Sequence, residues 1–272
     1  MATPRNARPG MLLDPGAPIN QGLAGWWPMW EGAGGKTMDI SGQNNTGTLT
    51  NGPVWAGDGL KFDGTNDHVA ATNPIGGFTG TVFVVAKTTS TADAYRSMVE
   101  IRLESTVNPS IQMLFVTNAD VDSTINHSVK FFCRDTAGGT GACPSGKAMN
   151  DGLFHSYAGV MSSAASRSLY VDGVLASSNS TSLGAVSFDE LGIGGHSRGA
   201  GGNFFPGTIS VVRVWNRALS ALEVNQLHLN PNIGLWVPDI TRYYIPAAGG
   251  TGGVSIVGRG GPSASFGIVR AA

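Results

Sequence analysis

Short runs of alternating apolar and polar residues, each closed by a cluster of turn formers, recur along most of the chain. Leu60-Lys61-Phe62-Asp63 is followed at once by Asp67-His68-Val69-Ala70. Thr81 to Thr89 is rich in Val and Phe. Ser97 to Glu104 alternates, so that Val99, Ile101 and Leu103 share one face and Glu100, Arg102 and Glu104 the other, solvated one. Further runs cover Ile111 to Thr117, Val129 to Arg134, Phe154 to Met161, Leu191 to Gly194 and Thr208 to Trp215. Ser168 to Ala176 carries Asp172-Gly173 at its centre, the dipeptide that suits a two-residue hairpin turn. Runs this short and this regularly punctuated are strands, and a succession of them makes an all-β antiparallel domain. The composition agrees: 40 of 272 residues are glycine, and only 13% are charged against about 25% in a typical domain. One helix is expected, and it is short. Ser220-Ala221-Leu222-Glu223 is a capping box, Leu222, Val224, Leu227 and Leu229 supply apolar content, and Asn230-Pro231 ends it.

The two ends differ from the middle. Met1 to Asn20 contains Pro4, Pro9, Pro15 and Pro18, which prevent regular pairing, and reads as an extended N-terminal arm. From Asn232 onward Trp236, Tyr243 and Tyr244 lie among Val, Ile and Pro, and the Gly/Ser-rich stretch after them still carries Val254, Ile256, Val257, Phe266, Ile268 and Val269. A disordered linker lacks that many β-branched and aromatic residues. The expected organisation is therefore an arm over 1–20, a globular domain over 21–231 and an extended C-terminal tail over 232–272. Trp236, Tyr243 and Tyr244 are the candidate partner-binding residues, joining a sheet or a neighbouring chain.

A formal net charge of −1 and a pI near 6.5 leave no basic patch for nucleic acid. No stretch of 18 apolar residues offers a membrane span, and Met1 to Pro18 lacks the apolar core of a signal peptide. Synthesis in a host cytoplasm without export is the expectation. Cys133 and Cys143 flank the Gly-rich Ala137 to Gly141. A disulfide across the ends of a hairpin loop and a pair of reduced thiols both remain open.

Several segments carry a family resemblance. Gly25-Trp26-Trp27-Pro28-Met29-Trp30-Glu31-Gly32 with Asp39-Ile40-Ser41-Gly42-Gln43-Asn44-Asn45 opens the domain, and Gly207 to Ser220 closes it. Between them, Asp151-Gly152-Leu153-Phe154-His155-Ser156-Tyr157-Ala158 is similar to a "D-G-x-W-H-H-V-A" strand. Leu169 to Val174 matches "L-Y-V-D-G-V", and Asn216-Arg217-Ala218-Leu219-Ser220 with Glu223 matches "N-R-A-L-S-x-x-E". Together these resemble the laminin-G-like domains of the concanavalin A-like lectin/glucanase superfamily over about Ile19 to Pro231. The resemblance implies an antiparallel two-sheet jelly-roll sandwich. It also implies that Trp26, Trp27, Trp30 and Trp215 pack the domain, that His155 is a satisfied structural histidine, and that Arg213 makes an ion pair or backbone contacts.

Many relatives hold a structural Ca²⁺ between the early loop and the closing strand. Asp39, Asn44 and Asp67 are the candidate ligands here, offering the hard oxygens calcium wants. Where relatives read "I-D-D-V-R-I", this chain has Ile209-Ser210-Val211-Val212-Arg213. Loss of both acids weakens or abolishes the site, so no cofactor is expected beyond this candidate Ca²⁺.

Catalysis is not expected. The glucanase string "E-x-D-x-x-E" is absent, and Glu100 and Glu104 would stand about 13 Å apart along one strand, beyond the roughly 5–9.5 Å of a glycosidase pair. No G-x-S-x-G elbow or H-E-x-x-H helix occurs. The expectation is a non-enzymatic virion structural protein of a bacteriophage, a capsid decoration or head/tail surface component. It would dock on other virion proteins through its arms and form a symmetric homo-oligomer. The alternative is a carbohydrate-binding adhesin that contacts host cell-surface glycans through loop residues His196, Arg198 and Asn203.

Overall fold

The computed structural model describes residues 11–91, 95–103, 108–116, 125–196, 203–236, 239–246 and 253–260. The chain opens with β1 (Leu12–Leu13), a 3-10 turn (Pro18–Asn20), β2 (Leu23–Trp27), β3 (Lys36–Thr37), β4 (Gly47–Thr50), β5 (Val54–Ala56), β6 (Gly59–Asp63) and β7 (His68–Thr72). Longer strands follow: β8 (Gly80–Lys87), β9 (Tyr95–Arg102), β10 (Ser110–Val116), β11 (Ser128–Arg134), β12 (Thr140–Ala148), β13 (His155–Ser163), β14 (Ser166–Val171) and β15 (Val174–Asn179). The domain closes with β16 (Glu190–Ile193), β17 (Pro206–Trp215) and helix α1 (Ala221–Leu229), and then come β18 (Leu235–Trp236), β19 (Asp239–Pro246) and β20 (Gly253–Gly260).

Two antiparallel sheets form the expected sandwich. The front sheet runs β12-β11-β10-β9-β16-β7-β4-β3; the back sheet runs β15-β14-β13-β8-β17-β6-β5, with β2 also paired to β17. Alternation along each strand decides what lies between them. Val99 and Ile101 of β9, Ile111 and Met113 of β10, Val82 and Val84 of β8, and Ile209, Val212 and Val214 of β17 fill the space between the sheets. Packing there is close. A Cβ on Gly159 would lie 2.2 Å from the Phe131 ring, so β13 needs glycine for that ring to lie against its backbone.

The outer face of the back sheet is also covered. Phe83 and Val85 of β8, Ala158 and Val160 of β13, Val211 and Trp215 of β17 and Trp26 of β2 form a second core with Ile19, Leu219, Val224 and Leu227. Helix α1 and the segments before β2 and after α1 are therefore a third layer. The capping box is present: the Ser220 hydroxyl accepts from Glu223 N–H at 3.3 Å, and the Glu223 carboxylate accepts from Ser220 N–H at 2.8 Å. Val224 and Leu227 are buried while Leu222 and Leu229 are exposed.

Residues 11–20 lie against the sandwich. β1 pairs with β18, Leu12 opposite Trp236 and Leu13 opposite Leu235. Arg213 holds both segments. Its guanidinium donates to the carbonyls of Pro231 at 3.3 Å and Ile233 at 2.9 Å, and to Asn20 Oδ1 at 3.1 Å. Asn20 in turn donates to the carbonyls of Asp14 and Gly234 at 2.7 and 2.9 Å. The Arg213 cation stacks between Trp26 and Trp215, 3.7 and 4.7 Å from their ring centroids. Its partners are thus carbonyls, an amide and two π faces. Burial pushes its pKa well down from the guanidinium range.

Cys133 and Cys143 are free thiols, both buried. Cys133 stands opposite Gly141 and Cys143 opposite Phe131, so the two are diagonal neighbours. That spacing is about 7–8 Å between Cα atoms, longer than a disulfide spans.

Candidate functional site

The outer face of the front sheet carries polar groups where the other three sheet faces are packed with apolar ones. Two rows cross it. Phe132, Gln112, Glu100, Gly192 and Ala70 lie side by side on β11, β10, β9, β16 and β7, and beside them run Arg134, Ser110, Arg102, Glu190 and Thr72. Glu100 and Arg102 are buried, which corrects the reading of that face as solvated. They are retained there by pairing, as buried charges must be. The Glu100 carboxylate accepts from Gln112 Nε2 at 2.7 Å and from the Ser97 hydroxyl at 3.1 Å, with Arg102 Nη1 3.9 Å away.

A returning loop completes the site. A side chain on Gly192 would meet the Gly195 carbonyl at 2.3 Å, so glycine lets residues 194–196 fold back over β16. That turn brings His196 Nε2 within 2.6 Å of Glu190 Oε2. His196 is 3% exposed, and its Nδ1 is buried without a hydrogen-bond partner among the described residues. The Asn203 carbonyl accepts from Ser97 N–H at 2.7 Å, and Arg96 donates to the Phe204 carbonyl at 3.3 Å. The His68 ring lies 5.9 Å from that of Phe204. Chemically, the face offers carboxylate, amide and imidazole groups in preset positions, beside Phe132 with Arg134 over its ring at 5.5 Å. Ligands with several hydroxyls, each both donor and acceptor, match such a surface.

Of the residues expected to bind glycan, His196 lies in this turn and Asn203 lies against β9 through its carbonyl, while Arg198 lies outside the described residues. Glu190, Gln112 and Glu100 had no motif to mark them. The usable signal was Gly192 inside an apolar run, a position where another backbone passes closely.

The proposed Ca²⁺ ligands do not come together. Asp39 has its oxygens engaged: Oδ1 accepts the N–H of Trp26 and of Ser41, and Oδ2 that of Asn45, each at 2.9 Å. Asn44 is an exposed residue of the same loop, with φ +61°. That loop leads into the start of β4, where Gly47 pairs with Thr37, whereas Asp67 precedes His68, which pairs with Thr50 at the other end. Asp67 accepts from Asp63 N–H at 3.0 Å. Burial raises its carboxyl pKa. Among the described residues no three His, Cys, Asp or Glu side chains converge as metal ligands. The residues present do not fit a Ca²⁺ site. Trp236 lies in β18 and Tyr243 and Tyr244 in β19, where they pair with Leu12, Ile256 and Ser255 respectively.

Two antiparallel sheets packed as a sandwich, with a short capped helix near the end of the domain, make an all-β domain consistent with a jelly roll. A family model, Laminin_G_3 of the concanavalin A-like lectin/glucanases superfamily, matches residues 63–225, and the chain belongs to that family. No curated protein matches it in sequence. Among solved structures, a Trypanosoma rangeli sialidase in complex with sialic acid is similar with a TM-score of 0.60 at 19% identity, over 79% of this chain and 34% of the sialidase. This chain thus spans about a third of that protein's length. Domain 4 of AbnA, a GH43 extracellular arabinanase from Geobacillus stearothermophilus in complex with arabinotriose, is similar with a TM-score of 0.56 at 12% identity. That match covers 76% of this chain and 98% of the domain. At these identities the likeness is one of fold.

The expectation that the chain is not an enzyme is corrected by these matches. About a third of a sialidase and one domain of an arabinanase share the fold, so the fold is one that occurs within enzymes and a missing E-x-D-x-x-E string does not exclude catalysis. Among the described residues no helix is long and apolar enough to cross a membrane.

Proposed function

We propose that this chain is a saccharide-contacting domain that binds through the outer face of its front sheet, around Glu190, His196, Glu100 and Gln112. One observation carries the reading: the outer face of the front sheet, unlike the other three sheet faces, is lined with hydrogen-bonding groups, with half-buried Glu190 and Gln112 at its surface and Glu190 held 2.6 Å from His196 Nε2. The arabinotriose and sialic acid held by the two similar structures support the ligand class. Glycan-array screening of the full chain should detect binding, and His196→Ala or Glu190→Gln should weaken it about tenfold or more. Absence of binding to any glycan at millimolar concentration would remove the proposal.

A second reading, a virion structural component docking through its terminal segments, is favoured by a different observation. β1 and β18 pair, so the segments on either side of the sandwich leave it from one place. Beyond them β19 and β20 form a hairpin that pairs with no other strand among the described residues. Open hairpin edges recruit further strands. Light scattering should then show a dimer or trimer that reverts to monomer when residues 237–272 are deleted. A full-length monomer that fails to bind virion proteins counts against it.

A further inference from the structure

At one end of the back sheet, away from the polar face, two histidines meet two aspartates. Asp172 sits in the two-residue turn between β14 and β15, with φ +52° there and +77° at Gly173. Its two oxygens serve different elements. Oδ2 lies 2.8 Å from His155 Nδ1 on β13 and 3.9 Å from Lys147 Nζ on β12. Oδ1 accepts from Ser156 N–H at 3.1 Å and lies 3.9 Å from Nδ1 of His228, in the last turn of α1. The second nitrogen of His155 is also met by a carboxylate, Nε2 being 3.2 Å from both oxygens of Asp151 in the loop before β13. Among the described residues a further ionisable neighbour is Tyr157 on β13, whose ring centroid is 6.4 Å from that of His155.

These contacts dictate protonation states. A neutral imidazole has one N–H and one lone pair, so beside two carboxylates it must turn the lone pair onto one of them. Only the imidazolium donates to both Asp172 and Asp151. His228 stands differently: its Nδ1 is 3.0 Å from the Ser156 hydroxyl, a contact a neutral ring satisfies as acceptor. Ser156, His228 and Asp172 are no nucleophile relay, since serine and aspartate approach the same ring nitrogen and a relay needs opposite ones.

We propose that Asp172 is the hub of a proton-sensitive latch. A protonated His155 ties the loop before β13 to the β14–β15 turn, while a neutral His228 ties α1 to Ser156 on β13, whose N–H is held by the same Asp172. The Asp172 hydrogen bond raises the His155 pKa against the opposing effect of burial. Burial lowers that of His228 against the pull of Asp172. The His155 contribution is complete below the ordinary imidazole value of about 6.5 and is lost as pH rises through the raised folded value. The His228 contribution runs the other way: it is present above about 6.5 and is lost as pH falls through the lowered value. The latch is therefore fully closed only in the pH window between the two midpoints.

The test is an NMR titration of the histidine ring resonances in the full chain, with protection factors read for the Ser156 and α1 amides. His155 should titrate above and His228 below an ordinary imidazole, and Ser156 protection should fall as His155 deprotonates. Asp172→Asn should reduce the proton affinity of His155 about tenfold or more. Asp151→Asn, at a half-exposed loop carboxylate, should reduce it in the same direction and keeps the test valid should the turn variant not fold. A His155 midpoint at or below that of free imidazole, no response to either variant, or Ser156 protection independent of the His155 proton would each overturn the latch.

Discussion

Arg213 shows how one side chain can decide where two segments of the chain go. It is fully buried, and its charge is spread over two indole faces and two carbonyls. Lysine is a point charge without a planar fork and cannot repeat those contacts. Arg213→Lys should destabilise the protein by about 2–4 kcal/mol in denaturant titration. Hydrogen exchange should rise first in residues 11–20 and 230–236, and equal exchange across the domain would refute the clamp. The two cysteines make the opposite point. Burial pushes Cys133 up to about 12 and Cys143 up to about 11, so neither supplies thiolate at neutral pH. A colourimetric thiol reagent at pH 8 should leave both unreacted in the folded protein and modify both after denaturation.

At the scale of elements, α1 was the part most plainly written in sequence. Ser220 and Glu223 satisfy the first-turn amides reciprocally, and Arg217 adds a bidentate pair to Glu223 at 2.6 and 3.2 Å. Ser220→Ala should cost about 1 kcal/mol in thermal or chemical unfolding. The Arg217 hydrogen bond, with the Ser220 bonds added, holds the Glu223 pKa down to about 2 against burial. A depressed carboxylate stabilises above its unfolded value, here 4.5, and that contribution is lost as pH falls toward 2. Acid unfolding of the wild type should therefore show a component in that interval which Glu223→Gln removes. Strand β9 was less legible. Its alternation correctly separated Val99 and Ile101 from Glu100 and Arg102, but alternation states only which residues share a face. Whether that face meets water depends on chain that passes over it from elsewhere.

Across the whole molecule, the back sheet belongs to both cores, with Val84 and Val212 inside and Phe83 and Trp215 outside. Trp215→Ala should cost about 3–5 kcal/mol, and it should lower the temperature of one cooperative calorimetric transition instead of splitting it, because β17 carries both layers. The sequence by itself determined the β-strands, the capped helix and the Asp172-Gly173 turn, because each rests on local geometry: a period of two, a cap spanning four residues, a two-residue turn. Its motifs, by resemblance, pointed to the sandwich and the family. The tertiary structure alone decided the rest. It placed Asp39 and Asp67 at opposite ends of β4, brought His196 onto Glu190, joined His228 to Asp172, and docked residues 11–20 under Arg213. Those contacts link residues far apart along the chain. They are set by sheet order and strand register, which no spacing along a single strand encodes.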